Sequence, residues 1–331
     1  MKKFSIIVPV YQVEKYIRAC VESIFRQGLD DDVFEVIIVN DGSTDHSMQQ
    51  IADLIGQHSN IIVLEQENQG LSMARNNGMK NANGDYIIFL DSDDLLADNC
   101  LKQLMEMTLE QQPDLIVADF EKKDDEAILR YRQQSSAAGG CKTTAKSGKA
   151  LFMEDLNPRE CYVWRTVYRR AFLEENHIRY VPGITYEDTP FTHECYLKAT
   201  HCLRTNLLLY IYRVGHASIT TGMTKKKGMD FSIALAKTWE MTRMEGIDLD
   251  VRKRLKDNVF AVFSVLIYAI TNEVKDGNER MQVVRHLQQM VPDLNFNHSM
   301  KQCCITFLYK RMPGIYIDMK VLFYKLAKRL R

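Results

Sequence analysis

The chain has 331 residues, 46% of them apolar and 26% charged, with 43 Lys/Arg against 43 Asp/Glu and a formal net charge of zero. That composition excludes a disordered or fibrous polymer and suffices for one large domain or two ordinary ones. The charge is uneven, with 8 basic against 20 acidic side chains in residues 1–120 and 8 against 1 in residues 301–331. The first segment therefore lacks the basic surface that phosphates of nucleic acid demand, and no nucleic-acid partner is expected. Eight cysteines without a CxxC pair give no zinc knuckle or redox motif. With no leader-like N-terminus and no apolar run near the ~20 residues of a spanning helix, the expected location is cytoplasmic.

Five short runs rich in Ile and Val, Phe4–Val10, Phe34–Asn40, Asn60–Glu65, Tyr86–Leu90 and Leu115–Phe120, read as buried parallel strands. Helical spacing intervenes: Ile17, Cys20, Val21, Ile24 and Phe25 share one face, and Leu101, Leu104, Met105 and Leu109 another. The alternation predicts an α/β fold, a mainly parallel sheet sandwiched by helices. A polar stretch from Glu121 to Lys149, including Ser135–Gly140, reads as a long loop. Residues 150–222 mix signals, with Leu207–Tyr212 the clearest strand. From Gly228 the pattern turns helical, with Val259–Ile270 apolar enough to be buried. The expected division is a catalytic domain over 1–222, made of halves 1–120 and 121–222, and a helical C-terminal extension over 223–331.

In open parallel sheets, ligands bind beyond the carboxyl ends of the strands. The first strand ends in Val8-Pro9-Val10-Tyr11, the second in Asn40-Asp41-Gly42-Ser43-Thr44-Asp45, and the fourth in Asp91-Ser92-Asp93-Asp94. No G-x-G-x-x-G or G-x-x-x-x-G-K-[ST] phosphate loop is present. A Mg²⁺ or Mn²⁺ ion held by carboxylates is the alternative way to manage phosphates, and Asp91 and Asp93 at a strand end fit it. Read structurally, Asp93 or Asp94 caps a helix beginning near Leu95. Asp41 either belongs to a turn that starts a helix, with Ser43 or Asp45 as cap, or accepts a hydrogen bond from a nucleobase ring N–H. Arg75, on a helix opened by Asn68-Gln69-Gly70-Leu71-Ser72, is a solvated arginine or one that reaches a base or phosphate.

Taken in order, VPVYQVEKYIRACVESIFRQ, VNDGSTD, NQGLSMARNNG and GDYIIFLDSDD resemble family 2 glycosyltransferases with the GT-A fold, strongly over residues 1–120 and again at 160–222. The resemblance implies that Pro9, Val10, Tyr11 and Glu14 line the nucleobase pocket, that Asp41 accepts from the base and that Arg75 helps close the pocket. Asp91 and Ser92 would approach the ribose, and Asp93, with Asp91, would hold the metal on the diphosphate. Gly183-Ile184-Thr185-Tyr186-Glu187-Asp188-Thr189-Pro190-Phe191 resembles the family's G-I-x-x-E-D-x-x-F segment, which makes Asp188 the expected general base and Glu187 its neighbour. The structural reading, a charged helix start with Pro190 in its first turn, is compatible with that role.

Val163-Trp164-Arg165-Thr166-Val167-Tyr168-Arg169-Arg170 looks like the family's W-N-K-L-Y-R-R segment, with Arg165-Thr166 in place of Asn-Lys. Trp164 is expected either to stack on an acceptor sugar or to be buried. Tyr212–Thr220 resembles the segment that closes over the diphosphate, so Arg213 and His216 become contacts for phosphate or metal. The implied activity is inverting transfer from a nucleotide sugar, a UDP-sugar by analogy, to a glycan or lipid-linked glycan in cell-surface polysaccharide synthesis. Its rivals are a sugar-1-phosphate nucleotidyltransferase, which needs a glycine-rich basic loop that Pro9–Gln12 does not supply, and a silent binding module. Residues 317–331 pair an apolar stripe, Met319, Leu322, Phe323, Leu326 and Leu330, with Lys320, Lys325, Lys328 and Arg329. That segment is expected either to pack on its own domain or to touch the inner face of the cytoplasmic membrane.

Overall fold

The computed structural model describes residues 3–133, 141–216 and 221–329, with the side chains of residues 132, 133, 328 and 329 left aside. Ser135–Gly140, the Ala217–Thr220 end of the closing segment, and Leu330 and Arg331 of the tail lie outside the described residues. The chain divides into two compact units. One comprises Met1–Glu154, Tyr162–Gly183 and Cys195–Ala217, the other Asp155–Cys161, Ile184–Glu194 and Ser218–Arg331.

The first unit holds one nine-stranded sheet: β1 (Phe4–Val10), β2 (Phe34–Asn40), β3 (Ile61–Glu65), β4 (Tyr86–Phe89), β5 (Leu95–Leu96), β6 (Leu115–Lys123), β7 (Thr143–Lys146), β8 (Thr166–Arg169) and β9 (Cys202–Arg213). The order is β3-β2-β1-β4-β8-β6-β9-β5, with β7 also on β9. Parallel pairing holds across β3-β2-β1-β4 and between β6 and β9. β8, β5 and β7 pair antiparallel, so the sheet is mixed beyond β4.

Every residue of β1 and β2 is buried, as largely apolar runs require of strands covered on both faces, and the polar Ser5 and Glu35 are paired with each other at 2.6 Å. On one face Ile6, Val8, Val36, Ile38 and Ile88 pack with Ile17, Cys20, Val21 and Ile24 of helix Ile17–Ile24 and Leu101 and Leu104 of helix Cys100–Gln111. On the other lies helix Leu71–Asn81, so close to β1 that a Cβ on Gly78 would stand 2.4 Å from Cγ2 of Ile7. Only glycine permits that approach.

Two local expectations are corrected. After Asp94 the chain enters β5, which pairs Leu95 with Ile211 and Leu96 with Tyr210, and the helix starts only at Cys100, after Asn99 at φ 58°. Neither Asp93 nor Asp94 therefore caps a helix at Leu95. The polar stretch 121–149 is not one loop either: it holds the end of β6, helix Asp125–Gln133, β7 and the helical turn Gly148–Ala150.

The second unit is helical, with helices Lys225–Glu240, Leu249–Glu273, Gly277–Met290, Met300–Arg311 and Pro313–Arg329. Val259, Val262, Phe263, Leu266, Ile267 and Ile270 are buried, as the apolar run over 259–270 foretells. Val283 meets Gly228, where an added Cβ would come within 2.9 Å of it. Among the described residues no helix is long and apolar enough to cross a membrane.

Candidate functional site

β1 pairs with β4 only as far as Ile7–Phe89, three residues short of Val10, so Pro9 costs no ladder bond to β4. Pro9 and Val10 are buried, while Tyr11 stands 46% exposed at the strand end. The turn that follows is tied to the loop after β2. Gln12, at φ 56°, donates from its backbone to Ser43 Oγ and from its amide to Thr44 Oγ1 (2.7 Å), Val13 N donates to Ser47 Oγ, and Glu14 N to Asp45 Oδ2. Burial would raise the Asp45 carboxyl, but the Ser47 hydroxyl and the Glu14 and Ser47 N–H groups hold it below its usual range. Ser43 and Asp45 therefore serve this loop pairing rather than capping a helix. The Glu14 carboxylate accepts from His46 N at 3.1 Å.

Asp41 is buried at 3% exposure, and its carboxylate accepts three N–H groups: Gln66 Nε2 and Gln69 N on Oδ1 (both 2.8 Å) and Gly70 N on Oδ2 (2.9 Å). Those donors form the approach to helix Leu71–Asn81, and Gly70, at φ 85°, is its N-cap residue. Arg75, on the first turns of that helix, is not solvated: it is 1% exposed, it lies over the Tyr180 ring, and its Nη2 meets Asp91 Oδ1 at 2.7 Å. The loops after β2, β3 and β4 are thus linked through two carboxylates.

The Asp91-Ser92-Asp93-Asp94 cluster is closed by the end of β9. Tyr210 Oη donates to Asp94 Oδ2 (2.7 Å), Arg213 N donates to Asp94 Oδ1 (2.6 Å), and Arg213 Nε donates to the Asp93 carbonyl (2.6 Å). Arg213 also pairs with Asp125 and lies over the Tyr16 ring, 4.8 Å from its centroid. Burial, with Asp93 and Asp91 adding to it, pushes the Asp94 carboxyl well up, so Asp94 serves as an anchor for β9. Burial also raises Asp91, against the opposing pull of Arg75. Asp93 alone directs its carboxylate to His216, whose Nε2 is 2.7 Å from Oδ2 and whose ring packs on Tyr16 at 5.1 Å. His216 Nδ1 is buried and has no hydrogen-bond partner among the described residues.

These donors suit a hard divalent cation. Among the described residues no group of three or more His, Cys, Asp or Glu forms a self-sufficient metal cage. One or two carboxylates are nevertheless what Mg²⁺ or Mn²⁺ takes when phosphate oxygens and water complete its shell, and His216 stands behind Asp93 as a partner that orients it.

Trp164 realises the buried alternative. It is 2% exposed, with one stacking contact to Tyr210 (4.1 Å) and another to Tyr162 (4.6 Å), and Phe120 meets it edge-on. Its faces are occupied, and the half-buried Tyr162 and Tyr212 are the outer members of the stack. Arg165, where the family has Asn, lies over Phe120 and donates to the Ala118 carbonyl.

Glu187 and Asp188 belong to the second unit. Asp188 opens helix Asp188–Lys198 with Pro190 in its first turn, and Glu187 is buried at 3% exposure. The preceding Tyr186 has φ 70°, a costly value for a tyrosine, and its ring stacks on Phe231 at 4.2 Å. Asp230 accepts from Thr185 N and Oγ1 and pairs with Lys226 at 2.7 Å. The turn carrying the two carboxylates is thus pinned from helix Lys225–Glu240.

Sequence reasoning missed Tyr16, Gln66 and Tyr210. Only Gln66 carried a signal, in its proximity to the Asn68-Gln69-Gly70 turn; the other two aromatic residues meet the site across long sequence separations.

Known proteins resemble this chain in sequence and in fold. The sequence profile of glycosyl transferase family 2 matches residues 5–176, just over half of the chain. EpsJ, an uncharacterized glycosyltransferase of Bacillus subtilis (strain 168), is 35% identical over 217 residues, which cover 65% of this chain and 62% of EpsJ. The glycosyltransferase GlyA of Streptococcus pneumoniae serotype 4 is 30% identical over 231 residues, 68% of this chain and 32% of its own. The poly(ribitol-phosphate) beta-N-acetylglucosaminyltransferase TarS of Staphylococcus aureus (strain Mu50) is 27% identical over 272 residues, 80% of this chain and 44% of its own. The matches thus span less than two thirds of the length of each of these relatives. The crystal structure of S. aureus TarS 1–349 in complex with UDP-GlcNAc superposes with a TM-score of 0.72 at 20% identity, covering 98% of this chain and 92% of that one. This likeness establishes the GT-A fold with its helical C-terminal region.

Proposed function

The chain belongs to glycosyl transferase family 2 and is a glycosyltransferase; from that premise we propose that it moves a sugar from a UDP-sugar to a hydroxyl of a glycan or lipid-linked glycan, with inversion. The proposed enzyme uses a divalent cation as cofactor, serves cell-surface polysaccharide synthesis, and is cytoplasmic with residues 317–331 touching the inner face of the membrane. The observation that carries the donor side is the strand-end cluster in which Asp93 meets His216 while Arg75 holds Asp91 and Arg213 holds the Asp93 carbonyl. A nucleoside diphosphate needs such a place, where carboxylates hold a cation and cationic side chains stand near. The UDP-GlcNAc bound by TarS supports uridine as the base.

Asp93 would hold the cation with Asp91 and His216 beside it, and the cation would supply Lewis-acid neutralisation of the diphosphate. Asp41 keeps the 66–70 turn in place through its three N–H contacts and leaves a lone pair for a ring N–H of the base. Pro9, Val10, Tyr11 and Glu14 would shape the base pocket, with Ser92 near the ribose. In the transfer, the Asp188 carboxylate accepts the proton of the acceptor hydroxyl as that oxygen bonds to the anomeric carbon and the bond to the diphosphate oxygen breaks. Glu187 is the neighbour next in line for that role.

The test is nucleotide release from a panel of UDP-, GDP- and dTDP-sugars, with Mg²⁺, Mn²⁺ or chelator. Turnover of a UDP-sugar that stops in chelator is expected. Release from none of the donors sinks the transfer reading, and full activity in chelator removes the cation from it.

A further inference from the structure

Helix Pro313–Arg329 carries two apolar faces, and one of them is used within its own unit. Tyr316 and Ile317 are buried, Tyr324 meets Tyr268 edge-on at 5.0 Å, and Lys320 Nζ lies over the Tyr316 and Tyr324 rings. The other face is open: Ile315, Met319, Leu322, Phe323 and Leu326 are 49–62% exposed. At about 100° per residue these five fall within an arc of roughly 100°, while Tyr316, Ile317, Lys320 and Tyr324 occupy the arc beside it. Five large apolar side chains in one exposed stripe exceed what water-facing surfaces carry singly and need a covering surface.

The charges around the stripe select what covers it. Lys301, Lys310, Arg311 and Lys325 are exposed on this helix and on helix Met300–Arg311, and between residues 300 and 327 the only acidic residue is Asp318. A second copy docking by a two-fold axis would set these cations against themselves. An anionic lipid surface complements them and takes the apolar stripe at its acyl boundary. We propose that the Ile315–Leu326 stripe of helix Pro313–Arg329, with the exposed cations of this helix and of helix Met300–Arg311, docks the chain on an anionic membrane. This deepens the membrane part of the functional reading and rests on it only there, because it needs neither donor nor acceptor.

Co-sedimentation of the full chain with phosphatidylcholine vesicles, with and without phosphatidylglycerol, tests it. Binding to the anionic vesicles alone, weakened by high salt, is expected. The double variant Leu322→Asp/Phe323→Asp, made at exposed positions, should lower the bound fraction at least about tenfold with an unchanged thermal midpoint. Lys310→Glu/Lys325→Glu should erase the preference for anionic lipid. The proposal falls if the unaltered chain stays in the supernatant or if the apolar double variant binds equally. It also falls if the chain elutes as a dimer that this variant dissolves, since a second copy then covers the stripe. Nucleotide release, measured in parallel on both variants, should be unchanged. Vesicle binding without turnover of any donor would overturn the transfer reading and leave this surface standing.

Discussion

His216 Nε2 lies 2.7 Å from Asp93 Oδ2, although 123 residues separate the two in sequence. The imidazole is held on its flank by Tyr16, which also lies under the Arg213 guanidinium. A ring oriented this way fixes the carboxylate it faces, as outer partners of metal ligands do. His216→Ala is expected to weaken Mn²⁺-dependent turnover by roughly 10–100-fold, the range for such partners, and Asp93→Ala by more. Tyr16→Leu should raise the Mn²⁺ concentration needed for half-maximal rate. Metal titration of nucleotide release reads all three, and an unchanged Mn²⁺ requirement in His216→Ala would detach the histidine from the cation.

Arg75 and Asp91 form a pair whose arginine is 1% exposed and whose carboxylate is 25% exposed. Removing the guanidinium leaves a largely desolvated carboxyl without its partner, and breaking such a pair costs about 3 kcal/mol. Arg75→Leu should therefore lower stability to urea by about that amount and weaken donor binding. Lysine keeps the charge but loses the fork, so Arg75→Lys should recover part of the stability. Equal stability of Arg75→Leu and the unaltered chain would show that the pair contributes nothing.

Asp41 and Asp188 should separate binding from chemistry. In Asp41→Asn one oxygen becomes an NH₂ that faces a backbone N–H of Gln69 or Gly70, so the 66–70 turn shifts and the donor KM rises before kcat falls. Asp188→Asn keeps shape but loses the base, and kcat should fall roughly 10²–10⁴-fold with donor affinity retained. Normal turnover by Asp188→Asn would transfer the base role to Glu187.

The strands and motifs nearest the N-terminus were legible because each signal there is local. Phe4–Val10 and Phe34–Asn40 are largely apolar runs, interrupted by Ser5 and by Glu35 and Asn40, and their matching structural bounds follow from burial on both faces. Asp93-Asp94-Leu95-Leu96 misleads because an acidic pair before leucines reads locally as a capped helix, whereas pairing with Tyr210 and Ile211 more than a hundred residues away makes it a strand. The choice left open for Arg75 turns on a contact that its own helix does not show, since the partner that draws it inward is Asp91 on another strand end. Trp164 reads either way from sequence because the ring stacked on it at 4.1 Å, Tyr210, lies on a distant strand. Helix Asp125–Gln133 was hidden because few of its residues are apolar and, among its described side chains, only Ile128 is fully buried.

The second unit should lose stability in mild acid through one histidine. His193 is fully buried on helix Asp188–Lys198: Nδ1 donates to the Thr189 carbonyl at 2.7 Å, and Nε2 accepts from Asn258 Nδ2 at 3.3 Å. Cys161 Sγ lies 3.8 Å away, and burial first, then the charge of Asp188, pushes its thiol up, so this Cys-His-Asn group is packed and inert rather than nucleophilic. Burial pushes His193 down to about 4, with the Thr189 contact opposing and Arg254 adding to the fall. In the unfolded chain a histidine titrates near 6.5. Between those two values the unfolded chain binds the proton and the folded one does not, so stability rises with pH across that window and is fully present above about 6.5. At pH 5 this one group should remove about 2 kcal/mol relative to pH 7.5. His193→Gln keeps an amide donor for Thr189 and cannot titrate, so its stability should fall less over the same interval by that amount. Urea unfolding of both proteins at the two pH values gives the difference directly, with all other histidines cancelling. Equal pH slopes would mean that His193 is protonated in the folded chain and that its surroundings are wetter than this packing implies.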